Sequence, residues 1–257
     1  MTRIVRAAAI LLAQALPAIL IVTFWELATR NDSVATFYFG RPSAIAQIIQ
    51  AGLRDGSLGA DFATTASEAG LGFLIGTFGG ALLGLALWFS RTAFVISRPY
   101  VIALGATPAF ALAPLFIIWF GTGYGSKVAI ATFSTFIVAT VQAYSGVDSA
   151  DRRYVRAAQA LGASRQQIFR KIIVPSALAW IFGAAQLNVG LALLGAFIGE
   201  VISSQAGLGH AIMVASGLFD ISRVWAGILS FIVLAILATL TLDQVQGRVL
   251  RILVRYL

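Results

Sequence analysis

Six long apolar runs, separated by more polar segments, follow one another along the chain. Each is long enough to cross about 30 Å of hydrocarbon as an α-helix rising about 1.5 Å per residue. A helix is the expected form because it satisfies every backbone polar group within its own segment. The pattern therefore predicts an all-α integral membrane protein with about six transmembrane helices. The predicted spans are Ala7–Leu27, Leu71–Ser90, Pro99–Phe120, Val128–Tyr144, Ala177–Gly199 and Val224–Leu242.

A shorter amphipathic stretch, Ser43–Leu53, lies in the segment that follows the first span. Its apolar residues recur at helical spacing, which predicts a helix lying along the outer membrane interface. These residues are Ile45, Ile48, Ile49 and Leu53.

Glycine recurs at every fourth position of the second span. The spacing places small residues along one face of a helix and predicts that another helix packs closely against that face. A flexible gating role for these glycines is the alternative interpretation. The residues are Gly72, Gly76, Gly80 and Gly84.

The composition supports residence in a membrane. Hydrophobic residues make up 59% of the 257 residues and charged residues only 11%, whereas a soluble domain carries about 25% charged residues. The net charge of +8 resides in short basic clusters between apolar runs, so no nucleic-acid partner is expected. The chain has no cysteine and a single histidine, His210, so no thiolate or multi-histidine metal site is expected either.

The basic residues predict the orientation in the membrane. With a cytoplasmic N-terminus, the outer segments hold five lysines and arginines, and the inner segments hold the other 13 of the 18. Positive residues favour the cytoplasmic side, and the opposite topology would reverse the bias. Both termini are therefore predicted to be cytoplasmic. The five outer residues are Arg30, Arg41, Arg54, Lys127 and Arg223.

The inner segment between the fourth and fifth spans, residues 146–176, is more elaborate than a simple connection. Its sequence predicts a helix through Ala160, a break at Gly162 and a second helix starting at Ser164. Ser164 is a suitable N-cap residue, and Gln167 three positions later completes a capping-box pattern. Pro175 marks the start of the next span. A short helical pair with a glycine elbow is suited to fitting a groove on a partner protein.

This segment resembles the signature of the permease family of bacterial ABC importers. Its residues match the family's Glu-Ala-Ala, Gly and Ile-x-Leu-Pro positions, except that Arg156 replaces glutamate and Val174 replaces leucine. The resemblance implies a coupling helix that docks onto a separate ATPase. The residues it assigns to ATPase coupling are Arg156, Ala157, Ala158, Gly162, Ala163, Ser164, Arg165 and Pro175.

Two further stretches are similar to the nitrate/sulfonate/taurine-type subfamily. One runs from Pro108 through Pro114-Leu-Phe-Ile-Ile-Trp-Phe-Gly, and the other joins Glu200 to Gly207-Leu208-Gly209. Glu68 departs from the subfamily, in which a basic residue is expected after the outer segment. The similarity implies a small, anionic cargo such as nitrate, a sulfonate, taurine, bicarbonate, an organic acid or a related solute.

The resemblance also implies the setting of the protein. A single permease domain would occupy residues 1–257, with a core at about 64–244, as a multi-pass protein of the bacterial inner membrane. The implied partners are two ATP-binding cassette subunits, a second and identical permease subunit, an extracytoplasmic substrate-binding protein and the lipid bilayer. The sequence lacks a G-x-x-x-x-G-K-[ST] loop, so ATP would be bound by the partner ATPase. The chain itself is expected to be neither an enzyme nor the holder of a cofactor.

Six residues are candidates for the substrate path. Prolines in the third span interrupt helical hydrogen bonding, which is tolerated beside a cavity, and polar groups in the fifth span either line the path or join helices. The candidates are Pro108, Phe110, Pro114, Gln186, Asn188 and Glu200. A secondary transporter or a non-transporting membrane scaffold is the alternative. A secondary transporter would need ionisable groups in mid-membrane, and the predicted spans hold essentially none.

Overall fold

The computed structural model describes the backbone of residues 2–30 and 32–256 and the side chains of residues 16–30, 32, 35–249 and 251. Over these residues the chain is helical and contains no strand. The helices are α1 (Thr2–Arg30), α2 (Ser33–Phe39), α3 (Pro42–Arg54), α4 (Ser57–Ala86), α5 (Arg91–Ala106), α6 (Ala109–Phe120), α7 (Tyr124–Asp148), α8 (Arg152–Ala160), α9 (Arg165–Ile168), α10 (Val174–Ser203), α11 (Leu208–Gly217) and α12 (Ile221–Tyr256).

Four helical segments of the described chain are long and apolar enough to cross a membrane. They are Ser57–Phe89, Tyr124–Asp148, Arg165–Ser203 and Ile221–Val249, and the bent pair α5–α6 makes a fifth if counted as one span. The first predicted span, Ala7–Leu27, lies within α1, where the side chains of residues 2–15 fall outside the described part. The prediction of an all-α membrane protein is confirmed.

The third predicted span, Pro99–Phe120, is not one continuous helix. Helix α5 ends at Ala106, α6 begins at Ala109, and the two meet at an angle of 97°. Thr107 is extended, with φ −80° and ψ 121°, which is the conformation favoured before a proline. Pro108 is therefore the break, whereas Pro114 lies inside α6 and does not interrupt it.

The glycine stripe of α4 packs directly on α7, as the spacing predicts. A Cβ built at Gly84 would lie 2.6 Å from the carbonyl oxygen of Thr140, and one at Gly80 would lie 2.8 Å from the Ala139 Cβ. The facing stripe of α7 also consists of small residues four positions apart, namely Ala131, Thr135, Ala139 and Ala143. Helix α10 packs on the same part of α7, where a Cβ on Gly195 would lie 2.7 Å from the Ala131 Cα. It also contacts α4, since Asn188 of α10 donates to the Thr77 hydroxyl of α4. The core is therefore a bundle in which α4, α7 and α10 pack on one another at close backbone distance.

The amphipathic stretch after the first span forms α3, and Ile45 on its apolar face is buried. Pro42 begins the helix at a position where its missing N–H costs nothing. Glu26 of α1 accepts hydrogen bonds from Arg41 Nε and the Ser43 backbone N–H, each at 2.9 Å. This contact fixes the start of α3 against the end of α1, and the helix packs on α12 and α4.

Candidate functional site

The inner connection forms two short helices, α8 and α9, joined by an elbow; residues 152–168 are called the coupling segment below. Asp151 is the N-cap of α8 and accepts the Arg153 backbone N–H at 2.8 Å. Side-chain hydrogen bonds from Arg153, followed by this backbone hydrogen bond, hold the pKa of the Asp151 carboxyl below its usual range. The negative charge of the Asp151 carboxylate interacts favourably with the positive, N-terminal end of the α8 helix dipole.

The elbow ends α8 with a Schellman motif centred on Gly162. The Ala163 N–H donates to the Ala158 carbonyl at 2.9 Å, and the Gly162 N–H donates to the Gln159 carbonyl at 3.0 Å. Gly162 has φ +79°, a left-handed conformation that glycine adopts without penalty. The break predicted at Gly162 is thus confirmed, and the hydrogen bonds show why it requires glycine.

Helix α9 begins with the capping box that the sequence predicts. The Ser164 hydroxyl accepts the Gln167 backbone N–H at 3.3 Å, and the Gln167 side chain accepts the Ser164 backbone N–H at 2.7 Å. Two donors at the start of the helix are therefore satisfied by one reciprocal pair.

The coupling segment is fastened to the inner end of α4 through Arg165. Its Nη2 donates to the Phe89 carbonyl at 2.7 Å, and its guanidinium carbon lies 5.2 Å from the centre of the Trp88 ring. Below this contact, Ile168 and Ile173 are buried with Val147 of α7. A displacement of the coupling segment would therefore also move the inner ends of α4 and α7.

The helix continues from α9 into the fifth span without interruption. Residues 169–173 form a π-helical turn, and Pro175 stands at the start of α10. A proline in an α-helix clashes with the carbonyl four residues earlier, and the wider turn just before Pro175 relieves this crowding. Pro175 does mark the start of α10, but as a point of altered pitch within a 39-residue helix, Arg165–Ser203.

The outward face of the coupling segment is free of contacts with the rest of the described chain. Ala157, Gly162 and Ser164 are exposed there. Arg156 is also exposed and forms no ion pair among the described residues, but it lines a cavity beside α5 and α7. Leu161 is 88% exposed at the tip of the elbow. Sequence reasoning missed Leu161, although an apolar residue beside an elbow glycine in a charged loop is a usable signal. An exposed leucine on a folded projection suits insertion into an apolar groove.

A second polar arrangement lies at the outer ends of the core helices. Its charged members are Glu68 of α4, Lys127 of α7 and Glu200 of α10, and none is more than 2% exposed. We call these three residues, with Thr65, the outer polar cluster. All three lie just outside a predicted span, within one to three residues of its end, and the fold buries them together near one membrane face. Buried charge of this kind in a membrane protein is costly and points to a structural or functional task.

The hydrogen bonds show the structural task of Glu200. One of its carboxylate oxygens accepts the Thr65 hydroxyl at 2.6 Å, and the other accepts the Gly209 backbone N–H at 2.6 Å. Thr65 in turn accepts the Leu208 N–H at 2.9 Å. The free N–H groups at the start of α11 are therefore capped by side chains from α4 and α10.

The Gly-Leu-Gly motif makes room for this carboxylate. Gly207 has φ +105°, and a Cβ on Gly209 would lie 2.8 Å from Glu200 Oε2. Lys127 completes the arrangement by donating through Nζ to the carbonyls of Thr122, Gly123 and Ser203. Side-chain atom Glu68 Oε2 is buried and has no hydrogen-bond partner among the described residues.

Replacing Glu200 with alanine is expected to destabilise the protein by about 3 kcal/mol, because it leaves the buried Gly209 N–H without an acceptor and removes the shorter hydrogen bond of the Thr65 hydroxyl. Asp220→Ala is the matched control. Asp220 also caps a helix, accepting the Arg223 N–H at 3.0 Å, but it does so in water, so its loss should cost about 1 kcal/mol. Thermal unfolding of both purified variants in mild detergent measures the difference. Equal losses would show that burial adds nothing to the Glu200 contacts.

The six predicted substrate-path residues are not brought together in one place. Pro108, Phe110 and Pro114 lie at the bend and along α6, where Phe110 is exposed. Gln186 is exposed on α10 and faces α12, with its Nε2 3.4 Å from Asp243 Oδ1. Asn188 is buried and donates to the Thr77 hydroxyl and the Thr135 carbonyl at 2.9 and 3.1 Å. Asn188 therefore forms hydrogen bonds between helices. A role in the substrate path stays a prediction for all six residues.

The fold and the coupling segment together define a multi-pass membrane permease. Over residues 72–251 the chain matches the family described as binding-protein-dependent transport system inner membrane component, and it belongs to this family. It is thus a transport component of the bacterial inner membrane, of the kind that serves ABC importers. The family implies an ATPase and a substrate-binding protein as partners.

Curated relatives cover most of the chain. The riboflavin transport system permease protein RibX of Chloroflexus aurantiacus is 33% identical over 92% of this chain and 87% of its own length. The putative aliphatic sulfonates transport permease protein SsuC of Bacillus subtilis is 29% identical over 85% of this chain and 79% of its own length. The taurine transport system permease protein TauC of Escherichia coli is 28% identical over 90% and 86%.

Solved structures share the fold. A chain of the methionine ABC transporter MetNI in an inward-facing conformation superposes with a TM-score of 0.60 at 18% identity, covering 75% of this chain and 94% of that one. A chain of an amino acid ABC transporter gives a TM-score of 0.55 at 21% identity, covering 73% and 89%.

Proposed function

We propose that this chain forms half of a homodimeric permease that carries a small anionic solute inward, driven by two separate ATPase subunits. The observation that carries the proposal is the coupling segment. Its outward face is exposed, its shape is fixed by a glycine elbow and a capping box, and its base is fastened to α4 and α7. Such a projection transmits a push from a partner to the core helices.

We also infer that the permease works by alternating access, opening to one side of the membrane at a time. The contacts at the base of the coupling segment support this mechanism. A movement of the docked elbow would pull on Arg165 and on the isoleucines beneath it, and both join the inner ends of the core helices. The second permease subunit is supported by the apolar faces of α5 and α6, where Ile96 of α5 and Trp119 of α6 are exposed. A second copy of the chain would cover such a surface and enclose a path between the subunits.

An anionic solute is supported by relatives named for aliphatic sulfonates and for taurine, which carries a sulfonate. A riboflavin-like or pyrimidine solute is the second candidate, because relatives named for riboflavin and formylaminopyrimidine cover the chain to a similar extent. Both classes would be delivered by an extracytoplasmic binding protein. The permease chain therefore needs little affinity of its own for the solute.

The test is uptake into proteoliposomes that contain this chain, its partner ATPase and the binding protein. ATP inside the vesicles is expected to drive uptake of radiolabelled taurine at least about tenfold above vesicles holding a non-hydrolysable ATP analogue. Uptake of riboflavin under the same conditions would assign the second candidate. Uptake that follows a proton gradient without ATP would instead establish a secondary transporter, and no uptake with any solute would favour a scaffold.

A further inference from the structure

A cavity of about 600 Å³ opens at the inner end of the groove between α5 and α7. This volume lies within the range of small-molecule sites, about 300–1,000 Å³. Three arginines line it: Arg91 and Arg98 from α5, and Arg152 from the start of α8. The two arginines of α5 are seven positions apart, which places them on one face of the helix, about 10 Å apart along its axis.

These arginines lack the partners that basic residues of a protein surface commonly find. None of the three forms an ion pair or a hydrogen bond within the described part of the chain. Among the described residues, Asp148 of α7 is the one acidic residue that lines the cavity, so this lining carries three positive charges against one negative. The adjoining cavity of about 380 Å³ adds a further basic residue, Arg156.

The position of Arg98 is the second observation. It lies two helical turns along α5 from Arg91 and directly before Pro99, where the third predicted span begins, so it stands at the boundary of the membrane. An arginine there is costly unless its guanidinium reaches water or an anion. Hydroxyl groups of the lining are mostly occupied, since Ser97 and Ser145 donate to carbonyls of their own helices. Among the described residues, the guanidinium groups and the Tyr144 hydroxyl are therefore the free donors of the cavity.

We propose that this cavity is a binding site for a tetrahedral oxyanion at the cytoplasmic face of the permease. Each guanidinium offers a planar pair of N–H donors that matches two oxygens of a sulfonate, sulfate or phosphate group. The site goes beyond the proposed transport function, because none of its three arginines takes part in the contacts that fasten the coupling segment to α4 and α7.

The same chemistry has two possible sources. One is a soluble anion, such as a sulfonate leaving the permease. The other is the phosphate headgroup of an anionic lipid of the inner leaflet, which basic pockets between membrane helices bind. The experiment below separates these two sources.

Binding of radiolabelled inorganic sulfate is measured on the full chain in nanodiscs of zwitterionic phosphatidylcholine. The double variant R91Q/R98Q is expected to weaken sulfate binding by about tenfold or more, because it removes two charged donors. Asp148→Asn is expected to tighten binding by about twofold to fivefold, because it removes the repelling charge. Arg248→Gln is the matched control: it removes one exposed positive charge from the same membrane side, outside this cavity, and should leave sulfate binding unchanged.

Nanodiscs containing phosphatidylglycerol distinguish the sources. Undiminished sulfate binding there identifies a soluble anion as the ligand. Loss of sulfate binding, with phosphatidylglycerol retained by the wild type and released by R91Q/R98Q, identifies the lipid headgroup.

The site is overturned if R91Q/R98Q and Asp148→Asn both bind sulfate and phosphatidylglycerol like the wild type, or if the wild type binds neither. If R91Q/R98Q does not fold, the gain expected for Asp148→Asn decides the question. The experiment measures binding and not uptake. Sulfate binding can therefore be absent in a chain that supports ATP-driven uptake, and present in a chain that does not.

Discussion

Replacing Gly162 with valine is expected to weaken binding of the ATPase by about tenfold or more and to abolish ATP-driven uptake. Gly162 has φ +79°, which costs a residue with a Cβ about 1–2 kcal/mol and a β-branched residue more. No atom of the described residues lies within 4 Å of the added Cβ, so the effect is conformational and not a clash. The elbow leaves the left-handed conformation, and α9 changes its angle to α8. Valine at this position favours elbow conformations that do not fit the ATPase. Restoring the docking conformation then costs this strain energy on binding, which lowers the affinity by about tenfold.

Gly56→Val is the matched control. Gly56 has φ +81°, and its Cβ position is equally open, but it lies on the opposite face of the membrane at the start of α4. The two variants should therefore lose similar thermal stability, and Gly162→Val alone should lose the ATPase. Co-purification of the tagged chain with the ATPase measures this directly. Equal retention of the ATPase by both variants would show that the elbow is not the docking element.

Local features of the coupling segment could be predicted from the sequence because their causes lie within a few residues. The capping box needs only Ser164 and Gln167, three positions apart, and the Schellman motif needs only Gly162 after a short helix. The role of Arg165 was less accessible. Its contacts with Trp88 and Phe89 join residues 77 and 76 positions apart, and nothing in the local pattern indicates that pairing. The π-helical turn before Pro175 was also missed, since proline suggests an interruption more readily than a change of pitch.

The outer polar cluster shows the same limit at longer range. Glu200 and Glu68 were each singled out in the sequence, but as separate residues. Their association depends on α4 and α10 packing against each other and against α7, and the Thr65–Glu200 hydrogen bond spans 135 positions. The resemblance to a permease subfamily linked Glu200 to the Gly-Leu-Gly motif but did not explain the link. The structure explains it: the two glycines have no side chain, and this leaves room for the buried Glu200 carboxylate to cap α11.

The close packing of α4 on α7 leads to the second large expected effect. Gly80→Ala should destabilise the protein by about 1–3 kcal/mol, because the new Cβ would collide with the Phe136 carbonyl and lie 2.8 Å from the Ala139 Cβ. Backbone atoms are among the contacts, so the helices must separate to accept even one methyl group. Gly80→Leu should prevent folding altogether.

Gly70→Ala provides the control on the same helix. No atom lies within 4 Å of a Cβ at Gly70, so alanine should stabilise the helix by about 0.5–1 kcal/mol through its better propensity. Thermal unfolding in mild detergent should therefore shift in opposite directions for the two alanine variants. A similar shift for both would mean that the stripe makes no close contact with α7. A flexible gating role for the stripe predicts a different result: Gly80→Ala would keep its melting temperature and lose uptake. The two glycine-to-alanine variants change helix propensity equally. The opposite shifts expected in their melting temperatures therefore follow from packing alone.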